Sequence, residues 1–304
     1  MSESISRLAE FDPLGRPREE RLSDGARRYV VVDVFTEVPL EGNGLGVFTD
    51  GRELSPETMQ RLARELNLSE TVFMLPAEGE GDVRVRIFTP ASELPFAGHP
   101  VLGSAIVLGA ALERDSVELE TGAGLVEVRL RREQGRAAFG AMQQPIPSWS
   151  PFEREAELLR ALGMQRSGLP VEVYCNGPLH VYVELESERA VAALAPDIGA
   201  LSRLGSFGVS CFAGSAGRWK TRMFAPALGV VEDPATGSAA GPLAAHLARH
   251  GRIAFGEEIE IRQGQEIGRP SVLFARAEGT PERIERIEVS GSAVIVAAGE
   301  FLLD

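Results

Sequence analysis

The sequence is short of the features that mark several functional classes. It has two cysteines, Cys175 and Cys211, in 304 residues. That count excludes a disulfide scaffold and fits a reducing compartment, so a cytoplasmic location is expected. No apolar run reaches the roughly 18–20 residues a membrane-spanning helix needs, and no membrane partner is expected. Basic charge is also in deficit: 31 Lys and Arg stand against 44 Asp and Glu, a formal net charge of -13. An acidic chain without a basic patch argues against nucleic acid or an anionic membrane surface as partner. A small anion is not excluded, because backbone N–H groups at a helix start bind one inside an acidic protein.

What is present is an ordinary globular composition, with 44% hydrophobic and 25% charged residues, at a length expected to form about two domains. Residues 1–28 carry charge, Pro and Gly but no apolar segment. They do not read as a secretory signal and are expected to form a surface arm or a partly disordered extension. YVVVDVF, from Tyr29, has the β-branched content of a buried strand. Ser55 and Pro56 supply an N-cap and an N1 proline to a helix whose Met59, Leu62, Ala63 and Leu66 keep helical spacing. ETVFMLPA and VRVRIFTP read as strands. VEVYCNGP and LHVYVEL do so in the second half, followed by short helices at ERAVAALAP and IGALSRLG. The tail alternates as sheet through IEIRQG, SVLFARAEG, RIEVSG and AVIVAAGEFLLD.

An internal echo organises the chain. RIFTPASELPFAGHP begins at Arg86 and RMFAPALGVVEDPATGSA at Arg222. Each runs Arg, apolar, Phe, small, Pro, then Glu, one residue, Pro, two residues, Gly, and on into a small-residue apolar helix. The spacer between the first Pro and the Glu is two residues in the first copy and five in the second. Recurrence of order and content points to a pseudo-twofold repeat. Each copy opens a helix with glycine, and unpaired N–H groups at such starts favour a carboxylate. The first start bears Gly98 and His99, the second Asp233, Gly237 and Ser238. Ser69 and Glu70 are expected at a helix end, just before an apolar strand, where desolvation would make the carboxylate a stronger base.

The strings DVFTEVPLEGN, NLSETVF, RIFTPASELPFAGHP, QQPIPSW, YCNGPLHVYV, CFAG and RMFAPALGVVEDPATGSAAGPLAAHL resemble the PhzF family of phenazine biosynthesis, from Tyr29 to the end. The resemblance implies an α+β, diaminopimelate-epimerase-like fold. This has two pseudo-symmetric domains, each a curved, mostly antiparallel sheet around a central helix, with the active site between them. The expected division is 29–143, to which the last strand, 296–304, is free to return, and 144–304. The resemblance also implies a homodimer and a cofactor-independent isomerase without metal. Its substrate class is a small cyclic amino-carboxylate, a cyclohexadiene whose proton moves from C3 to C1 before an enol becomes a ketone. Carried over by position, the catalytic residues are Glu70, His99 and Asp233. Those at the substrate are Asn43, Ser69, Gly98, Gly237 and Ser238. Gly44 departs from the family, which usually has Pro there.

Three other functions were weighed. A two-thiol epimerase needs a cysteine beside each helix start, and ELPFAGHP and VEDPATGS have none. A non-catalytic binding protein on the same fold has no need of Glu70, His99, Asp233 and Ser238 together. A zinc enzyme would use His246 and His250, spaced i, i+4, but Leu247 stands where the zincin motif needs Glu. Both histidines are expected on a helix surface near its C-terminus, and His180 in a structural role.

Overall fold

A computed structural model describes Ser4, Arg7 and residues 26–133 and 136–303. The expected extension lies outside the described residues, apart from Ser4, Arg7 and residues 26–28. The chain divides into two compact units, residues 1–142 with 291–304, and residues 143–290. The boundary at 290/291 falls inside the last strand, so one strand serves both units.

In the first unit β1 (Ala26–Val34) pairs antiparallel with β2 (Asn43–Phe48). Helix α1 (Pro56–Leu66) follows, capped by the Ser55 hydroxyl accepting from the Thr58 N–H, and it buries Met59, Leu62 and Ala63. Asn67 ends it in the left-handed region, a conformation Asn tolerates. β3 (Glu70–Leu75) pairs parallel with β2 and antiparallel with β4 (Val83–Phe88). The two-residue β5 (Glu93–Leu94) folds back on β4 and leads into α2 (Gly98–Leu112). β6 (Ser116–Thr121) pairs parallel with β4, and β7 (Gly124–Glu133) and β8 (Arg136–Gln143) complete an antiparallel run.

Helix α2 is buried along nearly its whole length and touches β1, β2, β3, β6 and β7. An all-round apolar helix must be enclosed this way. Gly103 lets the strands close on it, since an added Cβ would stand 2.7 Å from Leu45 Cδ2 and 2.8 Å from Val34 Cγ2. On the far side of the sheet Phe48 stacks on Phe73 at 4.7 Å within a cluster containing Met59, Leu62, Ala63 and Phe88.

The second unit starts with β9 (Ser148–Pro151), α3 (Glu155–Ala161), β10 (Glu172–Cys175) and β11 (Leu179–Glu184). After the short helices α4 (Glu188–Ala192) and α5 (Ile198–Ser202) come β12 (Gly208–Ser215), β13 (Arg218–Ala225) and β14 (Val230–Asp233). Helix α6 (Gly237–Arg249), β15 (Glu258–Gln263), β16 (Ser271–Gly279) and β17 (Ile284–Leu302) complete the chain. The pairings repeat those of the first unit. β11 is parallel to β12, β12 antiparallel to β13, β13 parallel to β15, and β14 folds back on β13 just before the buried helix.

The echoed residues make the same contact in both copies. Arg86 forms a two-pronged pair with Glu93 at 2.7 and 2.7 Å, and Arg222 with Glu232 at 2.9 and 2.8 Å. Each guanidinium also lies over the Phe two residues on, 5.2 Å from Phe88 and 5.0 Å from Phe224. A planar guanidinium suits both partners at once. The clamp ties the returning strand to the one before it, whatever the spacer length, and so fixes where the following helix begins.

Four expectations need correction. The first strand starts at Ala26 rather than Tyr29, because residues 26–28 continue the ladder opposite 300–302 and Arg28 pairs with Glu300 at 3.1 Å. RIEVSG and AVIVAAGEFL form one strand, since Gly291 and Ser292 introduce no turn. Helix α3 and the β7–β8 hairpin are elements that the sequence pattern does not announce. His246 is not on a helix surface: it is fully buried, with Tyr182 stacked at 5.6 Å and Phe212 edge-on at 5.9 Å. Small residues on α6 let the sheet close over it.

His246, His250 and Arg249 converge on one Glu172 oxygen at 3.2, 3.0 and 2.7 Å. The two imidazoles and this carboxylate could hold a metal ion by proximity. However, the Arg249 guanidinium already matches the negative charge, and it also lies over the Trp149 ring at 4.2 Å. Despite burial, hydrogen bonds from the two histidines and Arg249 hold the Glu172 carboxyl well below its usual range, while burial lowers the His246 pKa. The unfolded chain therefore binds protons more readily at both groups. Stability contributed by His246 is present above about pH 6.5 and falls as pH drops below it; that of Glu172 is lost further as pH falls below about 4.5. In a urea-unfolding series across pH, Glu172→Gln is expected to cost about 3 kcal/mol at neutral pH and to flatten the loss below pH 4.5.

Candidate active site

Asn43, Ser69, Glu70, Gly98 and His99 fall in the first unit, and Asp233, Gly237 and Ser238 in the second. In the first unit, Asn43 opens β2 and Glu70 opens β3, with Leu45 opposite Glu70 in the parallel register. Glu70 is thus the first residue of a strand rather than the end of a helix. Ser69 stands just before it, after the left-handed Asn67. Gly42 supplies the positive φ of 66° that turns the chain into Asn43, and an added Cβ there would strike Thr36 Cγ2 at 2.6 Å.

Gly98 and His99 are the first two residues of α2. The N-cap is Ala97, which has no side-chain hydrogen bond to offer. His99 Nε2 lies 3.3 Å from Glu70 Oε2, with side-chain exposures of 5% and 16%. On the other edge of the ring, Asn43 Nδ2 is 3.5 Å from His99 Nδ1. An amide donating to Nδ1 makes that nitrogen the acceptor and leaves the ring proton on Nε2, facing Glu70. Burial lowers the His99 pKa to about 3, so the imidazole is neutral and the contact is a dipole beside a carboxylate, not an ion pair. A carboxylate, a neutral N–H donor and a buried helix start within one small region can exchange a proton with a bound carbon acid.

In the second unit, Asp233 ends β14 and is buried. Its Oδ2 accepts from the Thr236 hydroxyl at 2.6 Å. Gln263 holds both residues: its Nε2 donates to the Asp233 carbonyl at 2.7 Å and to Thr236 Oγ1 at 2.9 Å, and its Oε1 accepts from the Thr221 hydroxyl at 3.1 Å. Thr236 is also the N-cap of α6, again without a side-chain cap bond, and Gly237 and Ser238 follow it. Gln144 Nε2 donates to the Gly237 carbonyl at 2.8 Å, and Asn176 Nδ2 to the Ser238 carbonyl at 2.9 Å. The Ser238 hydroxyl sits 3.0 Å from His180 Nε2.

Sequence reasoning missed Thr236, Gln263, Gln144, Asn176 and the contact of His180. The only signal for them was polar residues inside otherwise apolar strings, such as Asn176 in YCNGP and Gln144 in QQPIP. Neither cysteine belongs to either group. Cys211 is buried with its thiol pushed up to about 12, and the Cys175 thiol contacts the Gly177 carbonyl.

With this geometry established, comparison with known proteins is informative. The family described as phenazine biosynthesis-like protein, PhzC–PhzF, matches residues 32–299. A Pseudomonas aeruginosa protein named trans-2,3-dihydro-3-hydroxyanthranilate isomerase is 56% identical over 276 residues, covering 91% of this chain and 99% of that one. A Bacillus anthracis phenazine biosynthesis protein of the PhzF family superposes with a TM-score of 0.80 at 26% identity, covering 91% of this chain and 99% of that one. A hydroxyproline epimerase from Agrobacterium vitis gives a TM-score of 0.66 at 15% identity, covering 92% of this chain and 94% of that one; it shares the fold. The architecture is diaminopimelate-epimerase-like.

One prediction concerns His99 alone. With its pKa near 3, its ring should not titrate between pH 5 and pH 8. Nitrogen-15 NMR should show one protonated nitrogen, Nε2, throughout. In Asn43→Leu, loss of the amide donor should let the Nδ1–H form appear.

Proposed function

The chain belongs to the phenazine biosynthesis-like PhzC–PhzF family, and from that premise we propose that it isomerises trans-2,3-dihydro-3-hydroxyanthranilate, with Glu70 moving the proton. The observation that carries the one-base mechanism is an asymmetry in the repeat. Thr71 stands opposite Phe88, and Val209 opposite Phe224, so the residue before each, Glu70 and Gly208, occupies the same place in the two topologies. One copy has a carboxylate beside its helix start and the other has no side chain at all. A two-base epimerase needs a proton carrier on each face of one carbon. A single carrier suits a proton that leaves one carbon and returns to another of the same ring.

The substrate name specifies a cyclohexadiene with amino, hydroxyl and carboxylate groups. Glu70, as carboxylate, takes the proton from C3, and the electron pair spreads through the conjugated diene. Glu70, now protonated, delivers the proton to C1. Both double bonds shift, and the hydroxyl is left on a double bond, whose tautomerisation gives the ketone. Atoms and electrons balance within the substrate. Glu70 is partly sheltered at 16% exposure, and fixed geometry lowers the barrier to carbon deprotonation.

His99, neutral, faces Glu70 Oε2 with Nε2 at 3.3 Å but without a hydrogen bond between the two atoms, while Asn43 fixes the ring. Ser69 contributes to the substrate pocket. Asp233 and Ser238 orient the polar groups of the ring. The N–H groups at Gly98 and at Gly237 each offer a seat for a carboxylate, as helix starts favour anions. A cytoplasmic homodimer is part of this reading.

Glu70→Gln should lower kcat by about 10³-fold or more while calorimetric binding of a substrate-like anthranilate is retained. Turnover is followed as loss of diene absorbance. In D2O the wild-type product should carry label at C1 to the extent that the Glu70 proton exchanges. Undiminished turnover by Glu70→Gln would remove the mechanism.

A further inference from the structure

Among the described residues, His180 is the partner of the Ser238 hydroxyl, and its geometry is unusual. The side chain is buried at 3% exposure. Its other ring nitrogen, Nδ1, is buried with no hydrogen-bond partner. The reason is its neighbour in the register. His180 lies opposite Gly208 across the parallel β11–β12 pair, and a Cβ on Gly208 would come within 2.9 Å of Nδ1 and 3.1 Å of Met223 Sδ. The imidazole therefore fills the space left by the missing side chain at position 208. In the first unit the equivalent place is Glu70, and Glu70 touches His99, the second residue of α2. In the second unit His180 reaches Ser238, the second residue of α6. The repeat has kept a contact to that helix position but now makes it from the neighbouring strand.

The tautomer follows from the surroundings of Nδ1. A proton there would face glycine and a thioether with no carbonyl or carboxylate to accept it. A buried N–H without acceptor is costlier and rarer than a lone pair without donor. The proton therefore resides on Nε2, and Nε2–H donates to Ser238 Oγ. Burial supports this by lowering the ring's pKa to about 4, so the ring is neutral and has one proton to give. With its oxygen occupied by that donor, the Ser238 hydroxyl proton cannot point back at His180 and is left for another acceptor.

We propose that His180 is a positioning residue for the isomerisation, holding the Ser238 hydroxyl as a hydrogen-bond donor to the substrate's anionic group. This rests on the functional reading above, in which Ser238 meets the substrate. His180 itself touches no reacting atom.

The test combines kinetics with spectroscopy on the full chain. Wild-type turnover of the cyclohexadiene is measured first; its absence overturns the functional reading, and the role of His180 with it. Given turnover, His180→Leu should raise KM by about 10- to 100-fold, the effect of losing a hydrogen bond to a charged group, with a smaller change in kcat. His180→Gln, which keeps an N–H donor at similar reach, should recover most of the loss. In the Ser238→Ala background, His180→Leu should add little. A merely structural histidine would cost as much there as in the wild type, and that additivity would overturn the proposal. If His180→Leu does not fold, Gly208→Ala serves instead. Its methyl group displaces the ring and should raise KM in the same direction, again only when Ser238 is present. Nitrogen-15 NMR of the wild type should place the His180 proton on Nε2; a proton on Nδ1 would also overturn it.

Discussion

The structure depends on enclosing two helix starts that have no side chain to cap them. Ala97 and Thr236 are the N-cap residues of α2 and α6, and neither side chain bonds the first turn. An uncapped start in water is cheap to satisfy, but Gly98, His99, Gly237 and Ser238 are all buried. N–H groups in that position carry a partial positive charge that needs an acceptor. The surrounding sequence then follows a common logic. The helices are built of Gly, Ala and Ser so that strands can close on every side. The Arg–Glu clamps, Arg86 with Glu93 and Arg222 with Glu232, fix the strand return that delivers the chain to each start. Both helix starts are thus buried without a side-chain cap.

Given two equivalent starts, chemistry comes from how the copies differ. Glu70 in one copy is Gly208 in the other. His99 corresponds to Ser238, and Leu94 to Asp233, since both follow the clamp glutamate by one residue. Each exchange moves a function rather than duplicating it. The first unit keeps a carboxylate beside an imidazole. The second keeps a buried aspartate braced by Thr236 and Gln263, and a hydroxyl braced by His180.

The parts legible in the sequence were those written in contiguous strings. The echo from Arg86 and from Arg222 foretold both glycine-opened helices, and the residues beside the glycines lie where the strings put them. Ser55 and Pro56 marked a helix start that the structure keeps. What could not be read was any contact set by strand register. Nothing local links His180 to Gly208 and Ser238, or Gln263 to Asp233, because those neighbours arise only when β11 meets β12 and β15 meets β13. His246 was misplaced for a related reason. Its i, i+4 spacing with His250 and its place near a helix end suggested a surface, and only tertiary packing shows Tyr182 and Phe212 closing over it.

The histidines make a final point about charge. His99, His180 and His246 all have pKa values lowered by burial, so at neutral pH each is a neutral group with one donor and one acceptor. Such a ring can hold a neighbour in one orientation without adding charge to it. Had His99 been an imidazolium, its charge 3.3 Å from Glu70 would have stabilised the carboxylate and weakened it as a base. A neutral imidazole adds no such charge. Burying these rings costs folding stability at low pH, where the unfolded chain binds protons that the folded rings refuse.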